Sequence, residues 1–260
     1  MMLRSGGFLV HLFHLLFHVL DLSTVLAAQR IYNDRPMAAQ LYYITDRSQF
    51  PGDGGEQERR LLEKIAECAA AGVDMIQLRE KDLNLRELEK LAWKAMAALG
   101  GSSTRLLINS RTDVALACGA HGVHLPGNDL HASEARAMFA RAGISEPVIG
   151  VSAHSAADVA SAEAHGADFA VFAPVFEKFK KKFEPGQKSG TANREGLEQL
   201  RRVCHRADSA QSPMPVLALG GITLANAREC LQAGAAGIAA IRLFQQNDVH
   251  AVLKTLRETS

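Results

Sequence analysis

The chain has 260 residues, enough for one large domain or two small ones with a substantial core. Lysine and arginine number 29 against 28 aspartate and glutamate, and this net charge of +1 argues against a nucleic-acid-binding protein. Hydrophobic residues make up 47% of the chain and charged residues 22%, which excludes a disordered, collagen-like or coiled-coil protein.

Residues 1–40 differ from the rest of the chain. An apolar stretch over residues 8–20 is followed by small residues, as in a secretory signal, but it is too short for a transmembrane helix. Two interpretations stay open: a signal-like segment, or an extension upstream of the natural start, for which Met37 is one candidate. We therefore predict an N-terminal apolar extension over 1–40 and a folded domain over 41–260.

From residue 41 onward, short apolar runs alternate with amphipathic stretches. The apolar runs predict strands over 41–45, 75–78, 106–109, 122–125, 148–152, 169–173, 216–219 and 237–241. The amphipathic stretches predict helices over 56–71, 85–98, 112–118, 132–141, 156–165, 194–204, 224–233 and 249–257. Units of about 27 residues match a compact parallel barrel, so we predict an α/β fold of the (β/α)8 TIM barrel type.

A short glycine phrase recurs between a predicted helix and the next strand. Gly72, Gly119, Gly166 and Gly234 each stand where a left-handed cap must end a helix. A doubly wound open sheet would show the same alternation, but no G-x-G-x-x-G follows the first strand. The similar units therefore favour a closed barrel.

Barrels of this kind bind ligands at the carboxyl ends of their strands. At the end of the second strand, Gln77, Arg79 and Lys81 alternate onto one face, so two cations and an amide point together. Cations that face a barrel interior need a neutralising anion, which predicts a phosphorylated or carboxylated substrate. The alternative is internal pairing with a carboxylate such as Asp46 or Asp129.

Further polar residues follow the third, fourth and fifth strands. Asn109 and Ser110 end the third strand. Asp129 follows the fourth and is a candidate Mg²⁺ ligand, with an ordinary turn aspartate as the alternative. Ser152 and His154 end the fifth strand, where both are free to contact a ligand.

The later loops carry cations and glycines. The loop over 177–190 contains five lysines, Lys181 among them, and is either a mobile cationic lid or a solvated run of charge. The seventh and eighth strands end in residues typical of a phosphate site in this fold, namely Gly220, Gly221, Ile241 and Arg242.

Taken in order, these motifs resemble the thiamine phosphate synthase family (thiamine-phosphate pyrophosphorylase) and its close relative, the thiazole tautomerase. The resemblance runs from about residue 41 to residue 256. It is carried by Gln77-Leu78-Arg79-Glu80-Lys81, Gly122-Val123-His124-Leu125, Gly150-Val151-Ser152, Pro174-Val175-Phe176, Gly220-Gly221-Ile222 and Ala233-Gly234-Ala235.

This resemblance implies a cytoplasmic transferase of thiamine biosynthesis that uses Mg²⁺. The family joins a hydroxymethylpyrimidine diphosphate to a thiazole phosphate and releases pyrophosphate. By resemblance the diphosphate and pyrimidine contact Gln77, Arg79, Lys81, Asn109 and Lys181, the pyrophosphate contacts Ser152, Mg²⁺ binds Asp129, and the thiazole phosphate binds Gly221, Ile241 and Arg242. No nucleic acid is expected as a partner and no membrane for the barrel, while homo-oligomer formation stays open.

Three positions depart from the family pattern. Ser110 stands where the family has a metal-binding aspartate, Gly127 where it has a glutamine, and Arg242 where it has a serine. Losing one of two carboxylates weakens the expected metal site, although the Ser110 hydroxyl could reach the ion directly or through water.

Two alternatives to the synthase stay open. The tautomerase, an isomerase, needs a phosphate site and a proton shuttle, for which the imidazole of His154 is suited, but no diphosphate-binding metal. Glu177 resembles the tautomerase, whereas Lys181 and the pair of Arg79 and Lys81 favour the synthase. The third interpretation is a barrel that binds thiamine-related phosphates without catalysis.

Four scattered cysteines form no C-x-x-C pair, which predicts reduced thiols and no zinc site. Reduced thiols agree with the cytoplasmic location that the resemblance implies.

Overall fold

Strands and helices alternate along the part of the chain that the computed structural model describes, residues 39–128, 130–176, 189–205 and 214–258. The strands are β1 (Gln40–Ile44), β2 (Met75–Leu78), β3 (Arg105–Asn109), β4 (Gly122–Leu125), β5 (Val148–Ala153), β6 (Phe169–Phe172), β7 (Val216–Ala218) and β8 (Gly237–Ala240). The helices are α1 (Gly54–Ala71), α2 (Leu85–Ala98), α3 (Thr112–Cys118), α4 (Ala132–Arg141), α5 (Ala156–Ala164), α6 (Ser189–Cys204), α7 (Ala227–Gln232), α8 (Arg242–Gln245) and α9 (Val249–Glu258). A 3-10 turn at Arg47–Gln49 follows β1.

Each strand pairs in parallel with the next one in the chain, and the last strand pairs with the first. Tyr42 of β1 lies beside Met75 of β2 on one side and Ala239 of β8 on the other. This order closes the sheet and confirms the predicted (β/α)8 barrel. Every predicted strand is present, with bounds within one residue of those expected.

The helices differ more from the sequence prediction. The predicted helix over 224–233 begins only at Ala227, because the Asn226 side chain accepts a hydrogen bond from Thr223 N (2.8 Å) and closes a turn before it. Helix α6 begins five residues earlier than predicted, at Ser189. The four-residue α8 was not predicted at all, and it starts directly after β8.

Two apolar cores follow from the alternation of side chains along the strands. Residues such as Tyr42, Leu107 and Leu217 fill the barrel interior. Their neighbours along the strands, such as Leu41 and Leu106, point outward and pack against the helices. The strands are buried on both sides, which explains their nearly continuous apolar sequence.

The recurring glycines cap the helices as predicted. Gly72, Gly119, Gly166 and Gly234 have φ angles of 86°, 67°, 76° and 100°. This left-handed backbone costs a glycine little, and it turns the chain from the end of a helix toward the next strand.

Residues 1–38 of the predicted N-terminal extension lie outside the described residues, whereas Gln40, its last predicted residue, already begins β1. The division of the chain into an extension and a barrel stays a prediction. Residues Ala39–Ser260 form one compact unit. Across the described ranges, no helix has the length and apolar character needed to cross a membrane.

Candidate functional site

The end of β2 presents polar side chains at the carboxyl end of the barrel. Gln77 is 1% exposed inside the barrel, and Arg79 is half-buried. Lys81 is exposed and lies beyond the end of β2, so the predicted alternation along the strand does not extend to it. The physical reason is that β2 ends at Leu78 and the chain then turns, with Leu83 N donating to Glu80 O (3.4 Å).

Arg79 and Lys81 keep their positive charges free of the carboxylates that the structure describes. Neither side chain forms a salt bridge within the described ranges. Asp46 is not their partner, since its carboxylate accepts from Ser48 Oγ (2.6 Å) and Gln49 Nε2 (2.7 Å). Asp129 lies outside the described residues. The free cations support the expectation of an anionic ligand.

A buried histidine lies beside these groups. His124 of β4 is 3% exposed, and its Nε2 lies 2.9 Å from Ser152 Oγ on β5. Gly150 makes room for the ring, because a Cβ at that position would come within 2.8 Å of His124 Nδ1. His124 was not among the predicted site residues, although it belongs to the motif Gly122-Val123-His124-Leu125. The available signal was a histidine at an inward position of an otherwise apolar strand.

The imidazole of His124 is neutral. Burial, and then the charge of Arg79, lowers its pKa to about 3. His124 Nδ1 is buried without a hydrogen-bond partner in the described structure, and Gln77 Nε2 and the Tyr42 hydroxyl are buried with no partner other than each other. Leaving a buried polar atom unpaired costs about 1–3 kcal/mol, so these atoms are suited to bind the polar atoms of a ligand.

The neutral His124 makes the folded state sensitive to acid. The unfolded chain takes up a proton near the ordinary pKa of 6.5, whereas the folded chain does so only near 3. Stability is therefore lost as pH falls through this window, by up to about 1.4 kcal/mol per pH unit. Glu80 acts in the opposite direction: burial raises its pKa, so its own contribution is lost as pH rises through that folded-state value.

We expect His124→Gln to flatten the decline of unfolding free energy between pH 6.5 and pH 4. Urea unfolding at half-unit pH steps measures the slope. The control is His250→Gln, which removes an exposed imidazole on α9 and should leave the slope unchanged. Equal slopes in wild type and His124→Gln would contradict the assignment of a neutral buried imidazole.

Asn109 and Ser110 form a tight turn after β3. Ser110 has a φ of 61°, a left-handed conformation that is uncommon outside glycine. Its hydroxyl accepts from Asn109 Nδ2 (3.1 Å), and its backbone N donates to His124 O (2.8 Å). The turn therefore joins the end of β3 to the strand that carries His124.

The described residues do not by themselves form a Mg²⁺ site. Ser110 offers one neutral hydroxyl oxygen, whereas Mg²⁺ is usually held by one or two carboxylates together with substrate phosphates. Asp129, the other predicted ligand, lies outside the described residues. Nowhere in the described ranges do three or more histidine, cysteine, aspartate or glutamate side chains come together around a metal position.

His154 is held in one orientation at the end of β5. Its Nδ1 lies 2.6 Å from the carbonyl oxygen of Ala173, and its backbone N donates to Asp158 Oδ2 (2.8 Å). A carbonyl can only accept, so His154 Nδ1 is the donor in this hydrogen bond. Ser155 caps α5 by accepting a hydrogen bond from Asp158 N (3.1 Å). His154 is exposed and free to contact a ligand.

The loops after β7 and β8 contain a pair of glycines with positive φ angles and the start of a short helix. Gly220 and Gly221 have φ angles of 107° and 63°, and a Cβ on Gly220 would lie 2.9 Å from Pro174 Cα. Neither backbone N–H donates a hydrogen bond to another described residue. Ile241 lies just past β8 and not within it as predicted, and the exposed Arg242 begins α8. Phosphate binds at these loops in many barrels of this fold.

The predicted site residues of the described ranges all lie at one end of the barrel, because every one of them is at or after the carboxyl end of a parallel strand. They are Gln77, Arg79, Lys81, Asn109, Ser110, Ser152, His154, Gly220, Gly221, Ile241 and Arg242. Lys181 and Asp129 lie outside the described residues. The fold and this end of the barrel define a class of enzyme that handles small phosphorylated substrates.

Comparison with known proteins narrows this class. A family model described as thiamine monophosphate synthase matches residues 41–244. The thiamine-phosphate synthase of Albidiferax ferrireducens is 37% identical over 83% of this chain and 88% of its own length. The thiamine-phosphate synthase of Methanoculleus marisnigri is 34% identical over 85% of this chain and 95% of its own.

A solved structure agrees with these sequence relatives. The thiamine phosphate pyrophosphorylase of Pyrococcus furiosus has a TM-score of 0.65 and 29% identity, and the match covers 86% of this chain and 96% of that one. The chain belongs to the thiamine monophosphate synthase family.

Proposed function

We propose that this protein is a thiamine phosphate synthase. It is a transferase that joins hydroxymethylpyrimidine diphosphate to a thiazole phosphate and releases pyrophosphate. The observation that carries the proposal is the arrangement at the end of β2. Arg79 lies there beside the neutral, buried His124, and the Arg79 guanidinium has no carboxylate partner in the described ranges. The names of the relatives support the synthase, and they give no support to the tautomerase or to a non-catalytic barrel.

The transfer breaks the bond between the pyrimidine methylene carbon and a diphosphate oxygen. The electron pair leaves with the pyrophosphate, and the methylene carbon then bonds to the thiazole ring. Negative charge grows on the leaving group, and fixed cations stabilise it. We assign this task to Arg79, whose guanidinium can donate two parallel hydrogen bonds to phosphate oxygens, and to Lys81 and Lys181. Asn109 and Ser152 are assigned to hydrogen bonds with the same substrate.

The interior pocket is assigned to the pyrimidine ring. Its nitrogen atoms can pair with the buried polar atoms Gln77 Nε2, His124 Nδ1 and the Tyr42 hydroxyl. A neutral His124 adds no charge beside a methylene that becomes cation-like, so its low pKa suits this chemistry.

The thiazole phosphate is assigned to the loops after β7 and β8, at the same end of the barrel. The backbone N–H groups of Gly220 and Gly221 donate to no described residue, and they can approach phosphate oxygens closely because glycine has no side chain. Ile241 and Arg242 complete this subsite, and the Arg242 charge is exposed and unpaired among the described residues.

The family uses Mg²⁺, and we propose Asp129 and Ser110 as its ligands in this chain. A single carboxylate suffices in principle, because Mg²⁺ keeps several water molecules and also binds substrate phosphates. We also propose a cytoplasmic location. Two points support this location. The four cysteines are free thiols, as is usual in the reducing cytosol, and the substrates of the proposed reaction are expected there.

The test is thiamine phosphate formation by the full chain from both substrates, first with Mg²⁺ and then with EDTA. We expect product only with Mg²⁺. Asp129→Asn should raise the Mg²⁺ concentration for half-maximal rate at least about tenfold, since it removes the one predicted carboxylate ligand. Asp113→Asn is the control, because that carboxylate is already paired with Arg111.

Folded protein that binds pyrophosphate but forms no product would overturn the synthase. Thiazole isomerisation, with His154→Ala as the control, would then be the next assay.

A further inference from the structure

Charges of opposite sign alternate in the segment that follows β2, which reads Arg79, Glu80, Lys81 and Asp82. In an exposed loop, such neighbours would partly neutralise one another. The structure separates them instead. Both carboxylates bind Arg47, which lies in the 3-10 turn after β1.

Arg47 holds the two carboxylates with different parts of its structure. Its Nη1 and Nη2 each donate to one oxygen of Asp82 at 2.7 Å, as a bidentate fork. Its backbone N (3.0 Å) and Nη1 (3.2 Å) also donate to Glu80 Oε2. The Glu80 side chain is only 2% exposed, against 67% for Asp82. A carboxylate as buried as that of Glu80 needs such a partner.

The same cluster fixes the backbone around the two cations. Thr45 Oγ1 donates to Glu80 Oε1 (2.6 Å) and accepts from Arg79 N (2.9 Å). Residues 79, 80 and 82 are therefore anchored to the end of β1, and Lys81 lies between anchored neighbours. Since both carboxylates pair with Arg47, neither pairs with Arg79 or Lys81, and these two cations stay available for a ligand.

We propose that Arg47 is a positioning residue that draws the carboxylates of Glu80 and Asp82 away from Arg79 and Lys81, so that these two cations can bind the substrate diphosphate. This inference rests on the proposed function, because it takes the diphosphate as the ligand. Lysine cannot replace arginine in this role, since one ammonium group cannot pair with Glu80 and also form a fork with Asp82.

The experiment is a double-mutant cycle on the full chain with inorganic pyrophosphate as the probe. Isothermal titration calorimetry compares wild type, Arg47→Lys, Asp82→Asn and the double variant. Arg47→Lys keeps a cation beside the buried Glu80, so the protein should fold, but it releases Asp82 toward Lys81. We expect pyrophosphate affinity to fall about three- to fivefold in Arg47→Lys.

Removing the released carboxylate should restore binding. Asp82→Asn alone, and the double variant, should both bind pyrophosphate within about twofold of wild type. The control is Arg59→Lys, because Arg59 also pairs with two carboxylates, Glu56 and Glu63, but on the outer surface of α1. It should bind pyrophosphate as wild type does.

Wild-type affinity in Arg47→Lys, or a double variant as weak as Arg47→Lys, would overturn the inference. In steady-state assays, the KM for the pyrimidine diphosphate should follow the same pattern while the KM for the thiazole phosphate stays constant. A merely structural role for Arg47 would not change one KM alone, and Asp82→Asn would not rescue it. If wild type forms no thiamine phosphate but the pyrophosphate affinities of the four proteins follow the expected pattern, the proposed function is wrong and the role of Arg47 stands.

Discussion

Arg79→Met is expected to lower kcat/KM for the pyrimidine diphosphate about a hundred- to a thousandfold. A fixed donor at the site where charge develops typically contributes a factor of this size. Arg79 is half-buried beside a pocket that holds a neutral histidine, so water cannot fully replace the lost guanidinium. Methionine keeps most of the apolar stem, which limits the change to the charge and its hydrogen bonds.

Steady-state kinetics with each substrate varied in turn provides the measurement. The KM for the thiazole phosphate should stay near its wild-type value, because that subsite is assigned to the loops after β7 and β8. Arg86→Met removes an exposed arginine on α2 and serves as the control. If Arg79→Met kept more than about a third of the wild-type kcat/KM, Arg79 would not contact the leaving group.

Gly122→Ala is expected to destabilise the barrel by about 3 kcal/mol or more, or to prevent folding. A Cβ on Gly122 would lie 1.8 Å from the carbonyl oxygen of Val148, and Gly122 is in direct register with Val148 on the neighbouring strand. The clash is with backbone and not with a flexible side chain, so β4 and β5 would have to separate.

Thermal unfolding followed by circular dichroism tests this second prediction. A loss of about 3 kcal/mol corresponds to a fall in Tm of roughly 6–12 °C for a domain of this size. Gly54→Ala is the matched control, because a Cβ at the first residue of α1 meets nothing within 4 Å. Gly54→Ala should be neutral or slightly stabilising. A Gly122→Ala protein as stable as Gly54→Ala would show that the barrel tolerates a side chain at that contact.

The architecture could be predicted because the strands of a parallel barrel are buried on both sides. An apolar run such as residues 75–78 therefore stands out between amphipathic stretches, and β2 has those bounds in the structure. The glycine after each of several helices, such as Gly72, marked where the chain turns back. The start of the helix predicted over 224–233 was wrong by three residues, because a hydrogen bond from Thr223 N to the Asn226 side chain closes a local turn, and hydrophobic periodicity does not report such bonds.

The sequence alone determined the barrel, and it predicted the end of the barrel that carries the site and an anionic ligand, because strand periodicity, strand ends and unusual clusters of cations are local features. Only the tertiary structure decided which charges remain free. Arg47 and Asp82 are 35 residues apart in the chain, yet their side chains form a bidentate pair. The pocket around His124 likewise depends on side chains from separate strands, which come together only when the sheet closes. Which distant side chains meet depends on how the strands and loops pack in the closed barrel, and a local sequence pattern does not report these contacts.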